Sequence, residues 1–213
     1  MPLEYRTRNL KRVTIHEWPA VRKNNENKLP VPTSILEDLY YRGEGRNATL
    51  FRKEYTYKGE KYLAWFGYSG SYEGNKNFGT FRIRKGSHTY FVKIAKSRDA
   101  LKCINGTINA QNALKEMPET TEGFRIQIIP PLYVVENKLK DRCAIVTASL
   151  PEKYFSQLET VSSYDEVGKK ARKVITSLFD KFFDKGVVDV FPRNAFLHRK
   201  TNTIFLYDLE AME

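Results

Sequence analysis

The chain has 213 residues, 41% apolar and 13% aromatic, and its 36 Lys and Arg against 25 Asp and Glu give a formal charge of +11. The apolar share can fill a core and excludes general disorder, while the absence of any long apolar run excludes a helical membrane span. Two cysteines, Cys103 and Cys143, are too few for a disulfide framework, and the N-terminus lacks the apolar stretch of a secretory signal, so the expected setting is cytoplasmic.

Residues 1–30 read as an irregular basic arm, most polar over 22–28. Ser34 and Glu37 have the spacing of a capping box, which predicts a short helix ending near Gly43. Residues 48–67 alternate about the turn Tyr57-Lys58-Gly59-Glu60, a β-hairpin pattern. A second hairpin follows, with strands over 78–83 and 89–94 about a turn at 85–88. A weaker helical pattern covers 97–117, interrupted at Asn105-Gly106 and stopped by Pro118. Short strands are expected over 126–129, 132–136 and 143–147, the last two joined by the polar turn 137–141.

The strongest helix signal covers 163–186, with Ser163 and Glu166 as a capping box and Gly186 as the stop. Val167, Ala171, Val174, Ile175, Leu178, Phe179, Phe182 and Phe183 fall on one stripe, opposite Lys169, Lys170, Lys173, Asp180 and Lys181. The three phenylalanines are expected in the core. Two β-prone runs, 195–198 and 203–207, close the chain about the turn 199–202. Strands and helices in this order make an α+β fold.

The segment after that helix carries the chemistry. Asp189 is followed by Asn194 in an Asp-x-x-x-x-Asn pattern, and Asp208 ends the second strand of the hairpin beyond it. Phosphoryl transfer needs these groups: a carboxylate to orient a hydroxyl and take its proton, then an amide and a second carboxylate to hold Mg²⁺. A hairpin returns the last two to one place.

In these residues the chain resembles the protein-kinase-like superfamily, whose catalytic loop has the same pattern, and Pro192 matches a proline often found there. The resemblance covers roughly residues 70–210. It implies a two-lobed fold, with a β-rich N-terminal lobe and a reduced helical C-terminal lobe. Residues 69–213 would be a minimal kinase-like domain behind an N-terminal extension, 1–68, that carries a short helix and a hairpin. It further implies ATP and Mg²⁺ as cofactors, Asp189 as catalytic base, and Asn194 and Asp208 as metal ligands. Lys93, in Tyr90-Phe91-Val92-Lys93-Ile94, would bind phosphate; Gly74 and Gly79 would belong to a loose phosphate loop over 74–81, and residues 147–149 would lie near the adenine. The acceptor would be a hydroxyl of a protein or a small molecule.

Several residues depart from that pattern. Val187-Val188 stands where a His-Arg or His-Gly pair usually precedes the aspartate, and Asp208-Leu209-Glu210 replaces Asp-Phe-Gly. No acidic residue stands at the usual distance after Lys93, Glu116 late in the helix coming nearest to that place, and Phe91 stands where kinases keep a small residue against adenine. These departures suit the alternative of a catalytically inactive pseudokinase that binds a protein partner, for which the +11 charge favours an acidic one. A third reading is nucleic-acid binding. Residues 81–90 form a basic hairpin loosely similar to the AP2-type module, in which Arg82, Arg84 and Lys85 would contact phosphates while Tyr90 packs. His16, His88 and His198 have no spacing that suggests a metal site.

Overall fold

The computed structural model of the chain describes residues 5–18, 29–42, 50–68, 77–151, 153–160 and 165–212. In chain order the elements are β1 (Arg6–Asn9), β2 (Thr14–Glu17), α1 (Thr33–Leu39), β3 (Arg52–Tyr57), β4 (Glu60–Tyr68), β5 (Asn77–Lys85) and β6 (His88–Ala95). Then follow α2 (Asp99–Lys115), β7 (Arg125–Ile128), β8 (Tyr133–Asn137), β9 (Arg142–Ala148), β10 (Phe155–Gln157) and α3 (Glu166–Phe183). The last strands are β11 (Val187–Val188), β12 (Ala195–His198), β13 (Thr203–Leu206) and β14 (Glu210–Ala211). The fold is α+β, and no helix among the described residues is long and apolar enough to cross a membrane. The chain divides into two compact units, Met1–Ala100 with Pro131–Ser149, and Leu101–Pro130 with Leu150–Glu213.

The first unit is built on an eight-stranded antiparallel sheet in the order β1-β2-β8-β9-β6-β5-β4-β3. Alternation puts Tyr62 and Ala64, Phe81 and Ile83, and Val92 and Ile94 on one face, where they form a core with Ile35, Leu36 and Leu39 of α1 and with Tyr40 just beyond it. The chain before α1 is strapped down by Tyr133, whose hydroxyl donates to the carbonyl of Val31 (2.7 Å) and accepts from its N–H (3.1 Å). Both hairpins expected between residues 48 and 94 are present, as are the strands on either side of residues 137–141.

The N-terminal arm is not irregular throughout. Residues 6–9 and 14–17 form a hairpin whose inner strand pairs with β8, and burial of Val13, Ile15 and Trp18 supplies the reason. The signal was hidden by polar partners: His16 and Glu17 are buried too, Glu17 in an ion pair with Arg8. The polar stretch 22–28 lies outside the described residues. α1 ends at Leu39, and its N-cap is Pro32 with no side-chain cap bond, so Ser34 and Glu37 do not form the expected box. The strands on either side of residue 68, β4 and β5, are neighbours in one sheet.

Asp38 ties α1 to β3. Burial alone would raise its pKa, but the Tyr55 hydroxyl (2.6 Å), the Lys53 ammonium (2.9 Å) and the Arg42 guanidinium (3.3 Å) outweigh it and hold the carboxyl at about 2. A depressed carboxyl pKa stabilises the fold above the unfolded value, and that contribution fades as pH falls toward the folded one. Asp38→Asn is therefore expected to lower stability by about 1–2 kcal/mol at neutral pH, the partners being partly screened by solvent. Denaturant curves should show the gap closing as pH drops toward 2. The two cysteines are buried and not joined in a disulfide, and burial pushes the Cys143 thiol up to about 12.

The second unit contains the sheet β10-β12-β13-β7, antiparallel except for the parallel pair β13 and β7, and the separate two-stranded ladder β11-β14. Ala171, Val174, Ile175, Leu178 and Phe182 of α3 form its core with Leu158, Ala195, Leu197, Ile204 and Leu206. The stripe on α3 is narrower than the sequence suggests. Val167 is 40% exposed and Phe183 45% exposed, so neither is core, while Phe179 packs at the edge. Ser163 lies outside the described residues; the N-cap is Asp165, whose carboxylate accepts from the Gly168 N–H (3.0 Å) and pairs with Arg199. α2 runs unbroken through Asn105-Gly106, against the expected interruption.

Candidate active site

The site begins where α3 stops. Gly186 takes φ +73°, the left-handed conformation that ends a helix, and the chain enters β11. Val187 pairs with Ala211 and Val188 with Glu210, so Asp189 and Asp208 both fall at the same end of the β11-β14 ladder. Each has a positive φ, 66° for Asp189 and 55° for Asp208, a region that short polar side chains tolerate and most others avoid. The backbone there bends away from ladder geometry and carries a carboxylate at each bend.

Asn194 joins them. Its side-chain Nδ2 donates to the Asp189 carbonyl (2.9 Å), and its own carbonyl accepts from the Tyr207 N–H (3.0 Å). The first bond closes the loop after Asp189; the second fastens the residue before Asp208 to Asn194. Phe191 N–H to Asp189 O (3.0 Å) and Asn194 N–H to Phe191 O (2.9 Å) complete the turn. Asp189, Asn194 and Asp208 therefore lie in one backbone cluster within the second unit.

Arg193 is the residue that the sequence reading missed. Its guanidinium donates to Asp189 Oδ1 (3.0 Å) and lies 4.9 Å over the Phe191 ring. Its carbonyl accepts from the Tyr207 hydroxyl (2.7 Å) and from Gln157 Nε2 (2.9 Å). A signal was available in the four-residue spacing from Asp189. Phe191 is 38% exposed and, with Phe179 and Phe183, makes a chain of rings at 5.6 Å centroid spacings beside the loop.

Gly106 holds the ladder from the other side. A Cβ built there would lie 2.4 Å from the carbonyl carbon of Glu210 and 2.6 Å from the Ala211 nitrogen. Only a glycine lets α2 approach the β14 backbone this closely. Its cost in a helix, about 1 kcal/mol relative to alanine, is accepted for that contact.

The other expected site residues belong to the first unit or lie outside the described residues. Lys93 is half-buried in β6, across from Thr80 of β5 and Ile145 of β9. Gly79, next to Thr80, is buried in β5 with φ +119°, at an irregularity in the β5-β6 register. Residues 78–81 lie within β5, in line with the strand expected over 78–83, and Gly79 serves a bulge. Gly74 lies outside the described residues. Glu116 is ion-paired to Lys185. Lys85 of the basic hairpin is paired to Glu60 (2.9 Å), whereas Arg84 is exposed.

Among the described residues no group of three or more His, Cys, Asp or Glu side chains could hold a metal ion. An amide oxygen with one carboxylate is still a set that Mg²⁺ uses, because it keeps waters and substrate oxygens in its remaining positions. Asn194 and Asp208 are an amide and a carboxylate of those types, and the Asn194 Nδ2 is engaged by the Asp189 carbonyl.

No family model matches the sequence, and no curated protein matches it. Among solved structures the chain is similar to the BubR1 kinase domain, at 12% identity and a TM-score of 0.47, over 75% of this chain and 50% of that one. The chain thus spans about half the length of that kinase domain, and a likeness this distant does not define a family.

Proposed function

We propose that the protein is a phosphotransferase of the protein-kinase-like type, two-lobed, which uses ATP and Mg²⁺ to phosphorylate a hydroxyl. The observation that carries this reading is the backbone cluster of Asp189, Asn194 and Asp208, with the Asn194 amide closed onto the Asp189 carbonyl. Asp189 would orient the acceptor hydroxyl and take its proton on Oδ2, since Oδ1 is paired with Arg193. Asn194 and Asp208 would hold the cation, whose charge neutralises phosphate oxygens. Lys93 would contact phosphate, as the resemblance implies, and Gly74 and Gly79 would belong to the phosphate loop that it also implies.

The test is incubation with labelled ATP and Mg²⁺, with thermal denaturation read in parallel. Transfer and a rise in Tm with ATP and Mg²⁺ are expected, the Tm rise being lost in Lys93→Met and in Asp208→Asn. Neither transfer nor stabilisation in the wild type would overturn the reading. One observation favours the second reading, a pseudokinase acting through a protein partner: Arg193 already engages one oxygen of the carboxylate that catalysis needs. Under that reading nucleotide fails to bind and Arg193→Ala gains nothing.

A further inference from the structure

The sheet of the first unit has a second face, opposite its core. On β4, β5 and β6 the core takes Tyr62 and Ala64, Phe81 and Ile83, and Val92, so their sequence neighbours fall on the other side. Register places Arg52 of β3, Trp65 of β4, Arg82 of β5, Phe91 of β6 and Thr147 of β9 directly across from one another in a single row. The adjacent row contains Glu54 of β3, Leu63, Arg84 and Thr89, so one carboxylate shares this face with the arginines. Trp65, Arg82 and Phe91 are half-buried, Arg52 and Arg84 are exposed, and the Arg82 guanidinium lies 5.0 Å over the Phe91 ring.

Rings and guanidinium groups alternating across a sheet are what a single nucleic-acid strand requires. Flat apolar faces take unstacked bases, and cations between and beside them take phosphates. A duplex offers no free base faces to such a surface. The chain's +11 charge supplies the long-range attraction. Thr147 stands across from Phe91, and Thr89 lies two residues before it, so two hydroxyls border the ring where a ribose 2′-OH would find partners.

We propose that this face binds single-stranded RNA, with bases stacked on Trp65 and Phe91 and phosphates held by Arg52, Arg82 and Arg84. The proposal does not rest on phosphotransfer, although Phe91 and Thr147 are also the positions expected beside adenine: Asp189→Asn should leave RNA binding unchanged.

The experiment titrates the full chain against fluorescein-labelled oligo(U) of about twelve nucleotides, by anisotropy at several salt concentrations. Trp65→Leu and Phe91→Leu should each weaken binding about tenfold or more without changing the salt slope. Arg52→Ala and Arg84→Ala, both at exposed positions, should each reduce the slope by about 0.7. Melting curves check the fold of each variant, and if a ring variant does not fold, the two arginine slopes decide. Four results would overturn the proposal: no binding at low salt, equal binding by folded ring variants, unchanged slopes in both arginine variants, or tighter binding of duplex RNA or oligo(dT) than of oligo(U).

Discussion

Gly106→Val is expected to destabilise the second unit and to remove phosphotransfer together. The new Cβ would sit 2.4 Å from the Glu210 carbonyl carbon and 2.6 Å from two further backbone atoms of β14, none of which is the flexible end of a side chain. Either α2 or β14 must move, and overpacking of this kind costs about 1–3 kcal/mol or more. Moving β14 breaks its pairing with Val187 and Val188, which places Asp189 relative to Asp208. Gly106→Ala should show the same loss in smaller measure, although alanine is the better helix former. Asn105→Ala, one residue away and exposed, should be neutral. Urea unfolding of the three variants reads the stability difference. A Gly106→Ala variant as stable as wild type would show that the close approach is not maintained in solution.

Asp189→Asn should lower transfer by about 10²–10⁴-fold, the range for loss of a general base. The carboxamide keeps the size of the side chain and the backbone carbonyl that receives the Asn194 bond, but it cannot take a proton. Stabilisation by ATP and Mg²⁺ should persist, because the expected cation ligands are Asn194 and Asp208. Transfer retained in Asp189→Asn would remove Asp189 from the base role. Arg193→Ala separates the two readings of the site. In an active enzyme it alters acceptor KM or raises the rate by releasing Oδ1; in a pseudokinase no transfer emerges.

Local pattern was readable wherever a single residue type or period decides the outcome. Alternation about Lys58-Gly59 and about Gly86-Ser87 yields the two hairpins in register, because a turn and a buried face specify them without long-range help. The Asp189 and Asn194 spacing was legible for the same reason, since the loop that unites them is closed by its own hydrogen bond. Phe183 was misread because a stripe counted by hydrophobicity does not say how wide the partner surface is. Gly106 was misread because helix propensity cannot see a strand from the far end of the chain.

Taken alone, the sequence determined the α+β class, the hairpins and the amphipathic helix. Those features follow from periodicity and from turns, which act over a few residues. Only the tertiary structure decided that residues 6–17 enter the main sheet, that Arg193 reaches Asp189, and that α2 runs through Gly106 to press on β14. It alone also lined Trp65, Arg82 and Phe91 across three strands. Each of these depends on backbone groups brought together from distant parts of the chain, where hydrogen bonding and close contact overrule local preference.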